Sequence, residues 1–98
     1  MVEEEPVQLR IDAFQWDEGN ISHLHDSATV EMIEEALDNN PIVLPNRPGH
    51  LATHVMIGIA DNGMHLYVPI LQVSPGLWRP ITGWRSREAF QVWGKYRG

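Results

Sequence analysis

The chain has no cysteine, which excludes thiol nucleophiles, disulfide staples and cysteine-ligated zinc. It also has no apolar run approaching the ~18 residues that suggest a membrane-spanning helix. None of Ser22, Ser27, Ser74 and Ser86 lies in a G-x-S-x-G elbow, and no GxxxxGK loop is there to cradle phosphates. Repeats, linkers and low-complexity runs are missing too. What is there is 98 residues, 43% apolar and 20% charged, the composition of one globular domain spanning 1–98. A chain of this length buries roughly 60 to 68% of its unfolded surface, enough for one modest core. The start MVEEEPVQ is acidic, unlike a secretory leader, so a cytoplasmic location is expected, with residues 1–6 flexible and no membrane partner.

Charge is divided by position. Residues 1–40 carry eleven acids against Arg10, a net −10; from Pro41 onward Asp61 and Glu88 face six basic residues, a net +4, and the whole is −6. A net −6 argues against indiscriminate binding to nucleic acid, DNA included, because each phosphate contact needs a local cation. The asymmetry still permits a local basic patch in the second half.

The order of elements follows from periodicity and punctuation. VQLRIDAFQW alternates Val7, Leu9 and Ile11 with polar residues and predicts a strand. Asp17 is placed to cap a short helix reaching about Leu24, and Asp26 or Ser27 a second one carrying Val30, Ile33, Glu34 and Leu37 and ended by Asn39-Asn40-Pro41. PIVLP predicts a short strand and NRPGH a loop. Asn62-Gly63 between two apolar runs predicts a two-residue type I′ hairpin, with Ile59 opposite Leu66, Ile57 opposite Val68 and Val55 opposite Ile70. That register puts six aliphatic residues on one face and His54, Met56, Gly58, Ala60, His65 and Tyr67 on the other, with Pro69 pointing to an edge or an interruption. LWRPIT predicts a further strand, and Ser86 caps a terminal helix with Phe90, Trp93 and Tyr96. The class is α+β: a strand, two helices, three or four antiparallel strands and a C-terminal helix.

The five histidines do not predict a metal site. On a strand His50 and His54 would stand roughly 13 Å apart, and His54 and His65 some 20 Å apart. His23 and His25, two apart on a helix, point in different directions. The tail offers other chemistry: Arg79, Arg85, Arg87, Lys95 and Arg97 gather with Trp78, Trp84 and Trp93, a mixture that can pair with phosphates and stack on bases. The alternative is that the tryptophans are core and the arginines are solvated or paired with the acidic helices.

FQWDEGNISH resembles the amino-terminal F-x-W-D-x-x-N-x-x-H signature of BrnT-like toxins, the ribonuclease partners of BrnA antitoxins in bacterial toxin–antitoxin pairs. RPIT and the helix after it resemble that family's closing strand and basic terminal segment, so the likeness runs from about Ala13 to Tyr96. It implies a RelE-like fold, cleavage of RNA with no metal or other cofactor, and a BrnA-like antitoxin as partner. Carried over by motif are Trp16, Asp17, Asn20 and His23 from the first signature and Arg79 and Thr82 from the last strand. Of these Asp17, His23, Arg79 and Thr82 are the catalytic candidates and Trp16 and Asn20 candidates for RNA contact, with Arg85, Arg87 and Glu88 weaker members from the tail and His65 a further candidate for RNA contact outside the motifs. Where the family continues with H-G-V this chain reads HLHDSAT, and Trp84 stands where an arginine is expected.

Other readings of the same residues stay open. Phe14 and Trp16 can be packing residues, and His23 a helix-end residue. Two alternative functions accompany the ribonuclease: a catalytically silent binding module, and a small-molecule binding protein using His54, Met56, His65 and Tyr67.

Overall fold

A computed structural model describes residues 5–97; Gly98 and residues 1–4, most of the stretch expected to be flexible, lie outside it. In chain order the elements are β1 (Ala13–Phe14), α1 (Glu18–Ile21), α2 (Val30–Asp38), β2 (Ile42–Pro45), β3 (His54–Ile59), β4 (His65–Ser74), β5 (Leu77–Pro80), β6 (Trp84–Arg85) and α3 (Arg87–Arg97). The fold is α+β, with a mixed sheet ordered β1-β5-β4-β3-β2 and with β6 beside β4. β1 runs parallel to β5, and the other pairings are antiparallel.

Only two residues of the predicted first strand pair as one. The reason is its path. The Val7 amide bonds the Val43 carbonyl at the β2 edge (2.8 Å), while the Asp12 amide bonds the Gly76 carbonyl at the far edge (2.7 Å). Residues 7–12 therefore cross the sheet instead of following one strand, and Leu9 and Ile11 bury against the core on the way.

The hairpin register differs by one residue from the expectation. Ile59 faces His65, Ile57 faces Tyr67 and Val55 faces Pro69. Ala60 and Met64 close a three-residue loop, the Gly63 amide bonds the Ala60 carbonyl (2.9 Å), and Gly63 sits at φ +88°. A type I′ turn would need positive φ at Asn62 as well, but the non-glycine residues with positive φ among those described are Asp26, Ser27 and Asn40. Asn62 instead accepts from the Met64 amide (3.0 Å), which closes the turn locally.

A slip of one residue exchanges the faces of β4 relative to β3. Met56, Leu66, Val68 and Ile70 now share one face with Phe14 and Trp78, under Ile33 and Ala36 of α2. Ile42, Leu44, Val55 and Ile57 share the other, under Ala89 and Val92 of α3. Both faces of the central strands are covered, which is why β3 reads as an almost unbroken apolar run. The expected mixed face does not exist: His54 and Met56 lie on one side, His65 and Tyr67 on the other, and Met56 is buried.

Pro69 lies in a central strand and not at an edge. Its carbonyl accepts from the Ile81 amide (2.9 Å), so its missing N–H points to the gap between β5 and β6, where a donor is not needed. Helix α2 starts later than expected. Thr29 is its cap, accepting from the Met32 amide (3.1 Å), because Asp26 and Ser27 are both in the left-handed region (φ +53° and +67°) and form the preceding turn.

Candidate functional site

The FQWDEGNISH segment is fastened to the closing strand residue by residue. Phe14 lies beside Trp78 in the parallel pairing and is buried with it. Asp17 caps α1, and its carboxylate accepts from the Asn20 amide (3.3 Å), with the Asn20 side chain returning a bond to the Asp17 amide (2.9 Å). Asn20 is only 2% exposed. Its side-chain NH2 donates to the carbonyls of Gln15 (2.9 Å) and Pro80 (2.8 Å), so it bridges the chain on either side of the junction. The Thr82 hydroxyl donates to the His23 carbonyl (2.6 Å) and the His25 amide to the Gly83 carbonyl (2.9 Å). Trp16 donates from its indole to Glu34 of α2 (2.7 Å).

Arg79 reaches the same place from β5. Its two terminal nitrogens grip both oxygens of Asp17 (2.8 Å each), and one of them also meets Gln15 Oε1 (3.1 Å). The hydrogen bond from the Arg79 guanidinium, helped by the Asn20 and Gly19 amides, pulls the Asp17 carboxyl down to about 2. A carboxyl so acidic is a weak base and carries no proton to give near neutrality. Asp17 is thus placed to orient Arg79 and α1, not to transfer protons. His23 has an exposed side chain, and its backbone carbonyl is tied to the junction by the Thr82 hydroxyl.

The structure divides the candidate residues into two groups. Asp17, Asn20, His23, Arg79 and Thr82 gather at the α1–β5 junction, with Trp16 turned toward α2. His65, Arg85 and Arg87 stand where β6 enters α3; Arg79 pairs with Leu71, six residues along β4 from His65, a separation of roughly 20 Å. There His65 is edge-on to Phe90 (5.0 Å) and Trp93 (6.1 Å), and burial lowers its pKa below the ordinary histidine value. His54 is lowered for the same reason, edge-on to Trp78 (5.3 Å) on the opposite face. Burial, and next the charge of Glu88, raises the Tyr67 phenol, which stacks on Trp84 (4.8 Å). Gln15 and Glu34 were not among the sequence candidates. Gln15 follows Phe14 as Arg79 follows Trp78, a neighbourhood visible only once β1 is known to run parallel to β5.

Among the described residues no group of three or more His, Asp or Glu could hold a metal, and no helix is long and apolar enough to cross a membrane. Compared with family models, curated proteins and solved structures, the chain matches none.

Proposed function

We propose that this chain is a BrnT-like protein with a RelE-like fold, the toxin-like member of a bacterial pair, which cuts RNA without a metal and is restrained by a small BrnA-like antitoxin. One observation carries the reading. The signature segment and the closing strand, some sixty residues apart in sequence, are joined by the Asp17–Arg79, Asn20–Pro80 and His23–Thr82 bonds. The four catalytic candidates, Asp17, His23, Arg79 and Thr82, therefore fall at one junction, while Arg85, Arg87 and His65 lie away from it. In the proposed reaction His23 takes the proton of a ribose 2′-hydroxyl, the freed oxygen attacks the adjacent phosphorus, and the bond from phosphorus to the 5′-oxygen breaks as that oxygen takes a proton from water. Arg79, presented by Asp17 and Gln15, faces the charge that develops on the phosphate. Thr82 holds the His23 backbone against the strand.

Induced expression with and without the neighbouring gene, scored for growth and RNA integrity, tests it. Wild type should slow growth and fragment RNA, with the partner reversing both. His23→Ala and Arg79→Ala should each lower cleavage about 100-fold or more, the size of a lost general base or charge stabiliser, while keeping the wild-type melting temperature within a few degrees. A second reading, the catalytically silent binding module, is favoured by the paired state of Arg79, whose charge Asp17 already neutralises. Harmless expression and intact RNA at high protein concentration would select it.

A further inference from the structure

Away from the α1–β5 junction, an open cleft of about 540 Å³ lies between the hairpin tip and the base of α3, lined by Met64, His65, Arg85, Arg87, Phe90 and Gln91 among others. No acid lines it, in a chain whose net charge is −6. The guanidinium groups of the cleft's two arginines are free, as that of Arg47 is elsewhere in the chain. Arg10 is paired with Asp12, Arg79 with Asp17, and Arg97 with backbone carbonyls at Asn40 and Pro41. Arg85 and Arg87 are exposed, and their guanidinium groups make no hydrogen bond or ion pair with any described residue.

The aromatic lining is not there for the core. The face of α3 that meets the sheet carries Ala89, Val92, Trp93 and Tyr96, at the spacing of one helical stripe. Phe90 is off that stripe and 61% exposed, its ring steadied edge-on by His65. His65, held toward its neutral form by burial, acts as an aromatic wall and adds no cation. Met64 and Gln91 complete a rim with apolar and amide character.

We infer that this cleft binds single-stranded nucleic acid, with a base stacked on Phe90 and the flanking phosphates paired to Arg85 and Arg87. Two fixed-fork cations beside an accessible ring match a phosphate and a base, since guanidinium groups suit phosphate oxygens and every base offers a π-face. An acidic peptide would use the arginines and leave the ring idle. The cleft is separate from the junction where cleavage is proposed, so binding here does not depend on whether that junction cuts RNA.

The test uses the full chain and a fluorescent ten-nucleotide 2′-O-methyl oligouridylate, which has no free 2′-hydroxyl to attack, followed by anisotropy across a salt series. Wild type should bind it. Phe90→Ala should weaken binding about fivefold or more with an unchanged salt slope, as expected for a lost stack. Arg85→Ala with Arg87→Ala should weaken it and flatten the slope by about 1.4, the value for two single-strand phosphate contacts. Arg10→Ala, outside the cleft and paired with Asp12, should behave as wild type. Phe90→Leu and the melting temperature of each variant guard against loss of fold. The inference fails if wild type does not bind, if Phe90→Ala binds like wild type, if Arg10→Ala costs as much as the arginine pair, or if polyglutamate competes as well as the oligonucleotide.

Discussion

Asn20 shows how a sequence signature can be architectural and chemical at once. All its side-chain polar atoms are committed inside the protein: its carbonyl oxygen to the Asp17 amide, its NH2 to Gln15 and Pro80. That position fits a brace better than a contact with RNA. Asn20→Ala removes the side-chain partner of one buried and two half-buried backbone groups, and the expected cost is about 3 kcal/mol in urea unfolding. Asn20→Asp should cost at least as much, because it sets a carboxylate oxygen against two carbonyls. A loss under ~1 kcal/mol for the alanine variant would show that water replaces the side chain there. The cap at Asp17 was legible in the sequence, since a carboxylate before a short helix has free amides to accept from. Its second duty was not, because the guanidinium it holds comes from β5, and nothing local announces a parallel pairing between β1 and a strand more than sixty residues later.

At the scale of elements, the contact of α2 with β3 depends on an absent side chain. A Cβ on Gly58 would stand 2.8 Å from the Ala36 Cβ, closer than real Cβ contacts. Gly58→Ala should therefore cost about 1 to 3 kcal/mol by forcing helix and strand apart. Adding Ala36→Gly should recover part of that loss, less the ~1 kcal/mol that glycine costs inside a helix. A double variant no better than the sum of its singles would place the strain elsewhere. The existence of the helices, the β2 strand and the α3 cap at Ser86 was legible because helical spacing and caps are local signals, although α1 ends at Ile21 and not near Leu24, and α2 is capped by Thr29 and not by Asp26 or Ser27. The hairpin register was not. Asn-Gly is compatible with both a two-residue and a three-residue loop, and the choice between them rests on how aliphatic side chains divide between two covered faces. With α3 on one side and α2 on the other, the apolar residues of β3 need not all point the same way. The same geometry removes the shared face of His54, Met56, His65 and Tyr67 that a small-molecule site would need.

For the whole molecule, the two covered faces enclose groups that pH can address in separate windows. His54 and His65 lie on opposite sides of the sheet, and burial lowers both below the ordinary value of 6.5. The unfolded chain therefore takes up these protons first, and stability should fall as pH drops below about 7, levelling once the folded histidines are also charged. Asp17 acts lower: its folded carboxyl titrates near 2 against an ordinary 3.8, so the stability it contributes is complete above about 4 and is lost between there and 2. Urea unfolding at fixed pH values from 8 to 2.5 should show two descending limbs. His65→Phe, which keeps an aromatic ring against Phe90 and Trp93, should shrink the upper limb and leave the lower one unchanged. Asp17→Asn should flatten the lower limb and leave the upper. Stability that stays flat between pH 7 and 5, or an upper limb that His65→Phe does not alter, would mean that the histidine environment is open to solvent and that the face under α3 is less tightly closed than its buried residues indicate.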